Sequence, residues 1–245
     1  MKKFLLLFGA LTLSLTSCSS DDSPSGSSDS VLLKKVILTS QDGESKSTVN
    51  YTYNGNKIVS IVDETGSMNY TYTGDLITKI EFKLSDGSIE QVNTFTYNSD
   101  NKLATFVRVE PDMDWGHKEV YTYNADGTIS VQSYGGDSEV QTSVGGTSTI
   151  KFVNGEVAEI ISITGNQPDR KYTYDDKNNP AKNILGFNKI AFVDGEGTGI
   201  AHNEVSETTD GVITGTYTYT YNTSGYPEKS NDKIDGISYS TQYFY

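Results

Sequence analysis

Along residues 76–84 apolar and charged side chains alternate. Leu76, Thr78, Ile80, Phe82 and Leu84 fall on one face of an extended chain, and Ile77, Lys79, Glu81 and Lys83 fall on the other. A period of two with one apolar and one wet face is the mark of an antiparallel strand. Val157, Glu159, Ile161 and Ile163 alternate less cleanly with Ala158, Ile160, Ser162 and Thr164. On this reading the apolar faces also carry Thr78, Thr105 and Glu159.

These segments belong to a repeated unit: aromatic-Thr-aromatic, then Asn or Asp, a Gly-rich turn and an apolar strand. It reads Tyr51-Thr52-Tyr53-Asn54-Gly55 before Ile58, and Tyr70-Thr71-Tyr72-Thr73-Gly74 before Leu76. Phe95-Thr96-Tyr97-Asn98 leads to Leu103, and Tyr121-Thr122-Tyr123-Asn124 leads to Ile129. Ile150-Lys151-Phe152-Val153-Asn154-Gly155 is a degenerate copy. Tyr172-Thr173-Tyr174-Asp175 and Tyr219-Thr220-Tyr221-Asn222 follow, and Tyr243-Phe244-Tyr245 is half a unit. Asn-Gly and Asp-Gly pairs mark tight hairpins because type I′ turns need positive φ. They occur at 42–43, 54–55, 86–87, 126–127, 154–155, 210–211 and 235–236. Residues 31–245 are therefore predicted to form one all-β domain. Its hairpins would make an antiparallel meander of about 13–16 strands, strongly curled or closed like a barrel. The half-buried Tyr rings would pack the apolar face with their hydroxyls reaching water.

One stretch breaks the rhythm. Asn179 as N-cap, Pro180 at the first helical position and Gly186 past the end predict a short helix near 180–185. It is expected to lie over an open end of the apolar face. The Gly195-Glu196-Gly197-Thr198-Gly199 run within residues 187–210 reads as a flexible loop.

The first thirty residues carry an address. Lys2 and Lys3, an apolar run to Leu15 and small residues before Cys18 give the layout of a signal peptide over residues 1–17. Leu15-Thr16-Ser17-Cys18 resembles the lipobox of bacterial lipoprotein precursors, which implies lipid on the Cys18 sulfur and cleavage just before it. Each buried methylene adds about 0.8 kcal/mol, so two or three acyl chains make a stable tether. Residues 18–30, rich in Ser and Asp, read as a flexible leash. Ser20-Asp21-Asp22 also resembles the acidic export signal of Bacteroidota surface lipoproteins. That resemblance implies an outer-membrane, cell-surface location, with the periplasmic face as the alternative.

Composition narrows the partners. The chain has 19 Lys and Arg against 32 Asp and Glu, a net charge of −13. Such a surface repels phosphate backbones, which argues against nucleic acid. With its single Cys lipidated, the fold has no intrachain disulfide. The expected partners are the membrane, through Cys18, and a glycan or envelope protein.

The Tyr-x-Tyr-Asn/Asp units loosely resemble the tyrosine–aspartate repeats of Rhs-type shell proteins. Together with the lipobox, the Asp175-Asp176-Lys177-Asn178-Asn179-Pro180 insert and the aromatic ending, they resemble more closely an uncharacterised Bacteroidota lipoprotein family. That family is a domain of unknown function with a porin-like fold. The resemblance implies that fold and lends no catalytic residue.

No catalytic constellation stands out. His117 and His202 read as exposed or cross-strand histidines, with no His-Glu-x-x-His spacing. No Gly-x-Ser-x-Gly elbow is present, and no cofactor is expected. Asp112, Asp114 and Asp100, with Asn231-Asp232, are weak Ca²⁺ candidates in acidic loops, without EF-hand spacing. The leading reading is a non-enzymatic surface lipoprotein, a scaffold or binding module. The alternatives are a hydrolase using loop carboxylates and a membrane-embedded barrel whose apolar face points outward.

Overall fold

The computed structural model describes residues 30–165 and 167–245. The leader, Cys18 and the leash up to residue 29 lie outside the described residues. Sixteen strands follow in order: β1 (Lys35–Ser40), β2 (Lys46–Asn54), β3 (Lys57–Val62), β4 (Gly66–Thr73), β5 (Leu76–Leu84), β6 (Ile89–Tyr97), β7 (Leu103–Glu110) and β8 (Trp115–Tyr123). Then come β9 (Ile129–Gly136), β10 (Gln141–Val153), β11 (Glu156–Thr164), β12 (Arg170–Tyr174), β13 (Glu204–Thr209), β14 (Val212–Tyr221), β15 (Pro227–Ile234) and β16 (Ile237–Phe244). Each strand pairs antiparallel with its chain neighbours. β1 also pairs with β16, from Lys35↔Phe244 to Ser40↔Tyr239, so the sheet closes into a barrel without free edges.

Up-and-down order puts the hairpin turns alternately at two rims. The proximal rim holds the turns after the Tyr-Thr-Tyr units, together with the entry into β1 and the end of β16. The distal rim holds the turns that carry Asp42, Asp63, Asp86, Asp137, Asp210 and Asp235. Asn154-Gly155, Asp210-Gly211 and Asp235-Gly236 have positive φ at both residues, as type I′ turns demand.

The apolar face points inward. Met68, Ile80, Phe95, Phe106 and Ile150, each no more than 2% exposed, pack in one cluster with Ile190 and Phe192 from the β12–β13 connection. The outer wall carries Lys79, Glu81, Lys151, Glu159 and Lys171 with Thr71, Thr96 and Thr173 between them. Glu159 bridges Lys151 and Lys171 across three strands at 3.0 and 2.9 Å. Large apolar side chains left exposed gather mostly at the distal rim, among them Ile89, Met113, Trp115, Val140, Val212 and Ile237. They do not form a belt around the middle of the wall.

Strict alternation fails repeatedly just after the aromatic units. In β4–β5, Thr71 faces Lys79 but Tyr72 faces Ile77, so Thr78 is an extra, bulged residue. The same shift skips Val59 opposite β2, Ala104 opposite β6, Ala158 opposite β10 and Glu228 opposite β14. A bulge turns the chain by one position. It brings Ile77, which the period of two places beside Lys79, into the core at 0% exposure. It likewise seats Val157 and Ile160 inside while Glu159 points out. Thr105 and Glu159 therefore belong to the wet face, a correction to the alternation read from sequence.

The Tyr hydroxyls do not reach for water. Past the bulges, adjacent hairpins splay at the proximal rim, and backbone groups there lose ladder partners. The β5–β6 ladder begins only at Lys79↔Thr94, and the Tyr97 hydroxyl donates to the free Ile77 carbonyl at 2.7 Å. Tyr174 does the same to the Val157 carbonyl at 2.8 Å. The Tyr72 hydroxyl accepts from Ile58 N–H at 3.2 Å and donates to the Leu185 carbonyl at 3.0 Å. Unpaired buried backbone groups are costly, so a ring with a polar tip suits each corner.

The segment near 180–185 is not an α-helix. Lys182 and Ile184 donate three residues back, to Asn179 and Ala181, whereas Leu185 N–H goes across to the Asn56 carbonyl at 2.9 Å. The backbone thus forms successive turns ending in a single 3-10 turn, Phe187–Lys189. The capping signal is nonetheless real, since the Asn179 side chain accepts from Ala181 N–H at 2.7 Å.

Removing the Tyr hydroxyls should separate packing from backbone satisfaction. Tyr97→Phe and Tyr174→Phe are each expected to cost about 1–2 kcal/mol in urea unfolding. Tyr134→Phe, on the outer wall, should stay within about 0.5 kcal/mol.

Candidate functional site in the plugged lumen

The connection between β12 and β13, residues 175–203, folds back into the barrel and divides the lumen. Ile184, Ile190, Ala191 and Phe192 are buried, and Phe192 meets Tyr121 and Phe152 edge-on at 5.6 and 5.8 Å. The glycine run expected to be a flexible loop is packed instead. A Cβ on Gly197 would lie 2.7 Å from the Tyr172 ring and 3.0 Å from Val157, so only glycine fits there. The plug thus fills the lumen rather than lying over an open end.

Charged groups moor it to the wall at three points. Arg108 pairs with Asp194 of the plug and, at 3.1 Å, with Glu110. Arg170 spans Glu196 of the plug and Glu207 of β13, both at 3.2 Å. The third mooring is Glu156, 3% exposed, whose carboxylate accepts from the backbone N–H groups of Ile200, Ala201 and His202 at 2.7, 2.8 and 2.9 Å. The His202 ring adds a contact to the same carboxylate at 3.1 Å.

His117 is drawn into the first mooring. His117 Nε2 lies 3.4 Å from Glu119 Oε1, and the ligand atoms of His117, Glu119 and Asp194 all fall within 4.8 Å of one another. Burial disfavours the charged imidazole, but the bond to Glu119 and the negative charges of Glu119 and Asp194 outweigh it and raise its pKa. The other Glu119 oxygen accepts from the Tyr121 hydroxyl and from Asp194 N–H. With Arg108 already neutralising Asp194, this trio reads as an ion-pair network holding the plug. Each histidine thus sits against a buried carboxylate, His117 on Glu119 and His202 on Glu156.

The Ca²⁺ candidates do not converge. Asp100 lies in the proximal turn after β6, while Asp112 and Asp114 lie in the distal turn after β7. Asp114 is occupied with Ser138, accepting from its N–H at 3.2 Å and its hydroxyl at 2.7 Å.

Two chambers remain beside the plug. One, of about 320 Å³, lies between β5–β7 and the plug, with Phe82, Phe95 and Ile190 on its apolar side and Arg108, Glu90 and Asp194 on its polar side. The other, of about 180 Å³, lies between β1–β4, β13–β16 and the plug. Its lining includes Tyr51, Tyr70, Tyr217, Tyr219 and Tyr243 with the carboxyl groups of Glu204 and Asp232. Burial first, then the charges of Glu207 and Glu196, push the Glu204 pKa up to about 8 despite the opposing pull of Arg170. Burial also raises Asp232, against the bonds it accepts from Thr241 and Ser230. Glu204 is not distinguishable by sequence from the other acids, and Asp232, which reads as a loop Ca²⁺ candidate, lies within β15 and lines the lumen instead. The only signal for the plug is the long gap between Tyr174 and Glu204, which carries the apolar run Ile190-Ala191-Phe192-Val193.

Two measurements probe these groups. Glu156→Ala leaves three N–H groups without an acceptor, so it should cost about 2–4 kcal/mol and speed amide exchange at residues 200–202. Glu204 holds a proton in the folded chain at pH values where the unfolded chain has released it. Its contribution to stability is therefore full below the ordinary carboxyl range and is lost as pH rises toward about 8. Between about pH 5 and pH 8 the wild-type Tm should fall more than that of Glu204→Gln, by on the order of a few °C.

Among solved structures, the chain resembles a porin-like protein from Bacteroides vulgatus, with a TM-score of 0.57 at 14% identity, over 88% of this chain and 99% of that one. It also resembles a porin-like protein from Bacteroides uniformis, with a TM-score of 0.52 at 12% identity, over 86% of this chain and 97% of that one. No protein-family model and no curated protein matches the sequence. At these identities the likeness is one of fold: a closed antiparallel barrel of the porin-like kind.

Proposed function

We propose that this protein is a non-enzymatic binding module of the bacterial envelope. In this reading it is a water-exposed barrel tethered to the outer membrane by lipid on Cys18. The polarity of the wall carries the proposal. Membrane barrels turn an apolar band about 25 Å tall toward lipid and keep a polar lumen. Here Lys, Glu and Thr cover the middle of the outer wall, and the apolar and aromatic side chains line the inside. Several strands are also short, with β12 at 5 residues and β1, β3 and β13 at 6, against the roughly 9–11 that cross a bilayer. The entry into β1 lies at the proximal rim, so a leash from Cys18 would leave the distal rim facing away from the membrane.

The lumen is the natural working compartment. Most of the Tyr rings face inward, so a sugar or other ligand would enter a chamber rather than lie on the wall. A hydrolase with two carboxyls needs environments that push their pKa values apart, one neutral acid and one ionised partner. Burial pushes both Glu204 and Asp232 up, and no basic side chain lines the chamber to hold one of them ionised.

Cys18→Ser should abolish acyl-chain labelling and release the protein from the membrane fraction. The fragment 31–245 should stay in solution without detergent. Insolubility of that fragment, rescued by detergent, would favour the membrane-embedded barrel instead.

A further inference from the structure

We infer that the smaller luminal chamber binds a small organic cation, an alkylated ammonium held between Tyr ring faces and the carboxyl groups of Asp232 and Glu204. The chamber of about 180 Å³ has no Lys or Arg in its lining. Asp232 is 4% exposed, and its Oδ2 accepts from Thr241 Oγ1 at 2.8 Å and Ser230 Oγ at 3.1 Å. Its Oδ1 is buried without a partner, and so is Glu204 Oε1. Two orphaned carboxyl oxygens on one chamber are costly unless something donates to them or neutralises them.

The aromatic lining narrows the chemistry. Tyr51, Tyr70, Tyr217, Tyr219 and Tyr243 converge on the chamber from four strands. Ring faces are electron-rich, and an aromatic cage around an alkylated ammonium contributes roughly 0.5–2 kcal/mol per favourable contact. An anion would meet two carboxyl groups and no basic side chain.

Protonation is consistent with this geometry. Glu204 is faced by Glu207, Glu196, Arg170 and Tyr217, and Asp232 by Ser230, Thr241, Tyr217, Tyr219 and Tyr243. Burial holds a proton on Glu204 and also raises Asp232, and an incoming cation supplies the charge that lets Glu204 ionise. Uptake therefore releases a proton to solvent.

The inference rests on the lumen being the working compartment of a binding module. It is tested apart from the tether and solubility experiments. The mature chain is titrated calorimetrically with choline and with 3,3-dimethyl-1-butanol, its neutral carbon isostere. Choline is expected to bind at least about tenfold more tightly than the isostere. Repeating the titration in buffers of different ionisation enthalpy should reveal the released proton. Asp232→Asn and Tyr243→Leu should each weaken choline at least about tenfold, while Tyr243→Phe, which keeps the ring face, should retain it. Circular dichroism of each variant separates loss of binding from loss of fold. Equal binding of the isostere, full affinity in folded Asp232→Asn, or no binding of choline to a soluble, tethered barrel would overturn this inference. The last result would leave the envelope reading in place.

Discussion

A barrel of sixteen strands encloses more space than side chains from its own wall can fill. Eight strands give an interior just wide enough for side chains to pack, and sixteen to eighteen leave a channel. This wall nevertheless turns its apolar face inward, where an empty channel would expose it to water. Residues 175–203 resolve the conflict by folding inside and supplying Ile190 and Phe192 as core that the strands cannot provide. The moorings at Arg108, Arg170 and Glu156 follow from that choice, since an irregular segment inside a sheet brings its own bare backbone groups.

The polarity is therefore the reverse of a membrane barrel's. The same alternation serves either arrangement, because a period of two separates faces without saying which one points out. What decides the matter here is where the bulges fall. The recurring ones follow the aromatic units and shift residues such as Ile77 and Val157 inward. Each also leaves Lys and Glu on the outer wall, with no continuous apolar belt.

Much of the wall was legible in the sequence. The Tyr-Thr-Tyr units and the Asn-Gly and Asp-Gly pairs mark hairpins, and the sixteen observed strands lie within the expected range. Bulges were not legible, because an inserted residue looks like any other in an apolar run. The Asn179 cap is present, yet the helix its spacing predicts is absent, because Leu185 bonds to Asn56 and not to its own turn. Local propensity gave way to a tertiary partner. The luminal place of the two carboxyls was not legible, for a different reason. Glu204 and Asp232 become special only through what surrounds them, and surroundings built from eight strands and a plug leave no local trace. The calcium candidates Asp100 and Asp112 are close along the chain but sit at opposite rims.

The pairing of β1 with β16 joins residues 35–40 to residues 239–244, almost the whole length of the domain. The first strand must wait for the last one before its outer hydrogen bonds exist. A ribosome-bound or truncated chain is thus an open ribbon with two raw borders, each able to template another copy. Long-range pairing of this kind is slow to find. A cell making this protein has reason to keep it extended until synthesis is finished, and a nonsense codon anywhere before Tyr239 would yield aggregate rather than a smaller barrel.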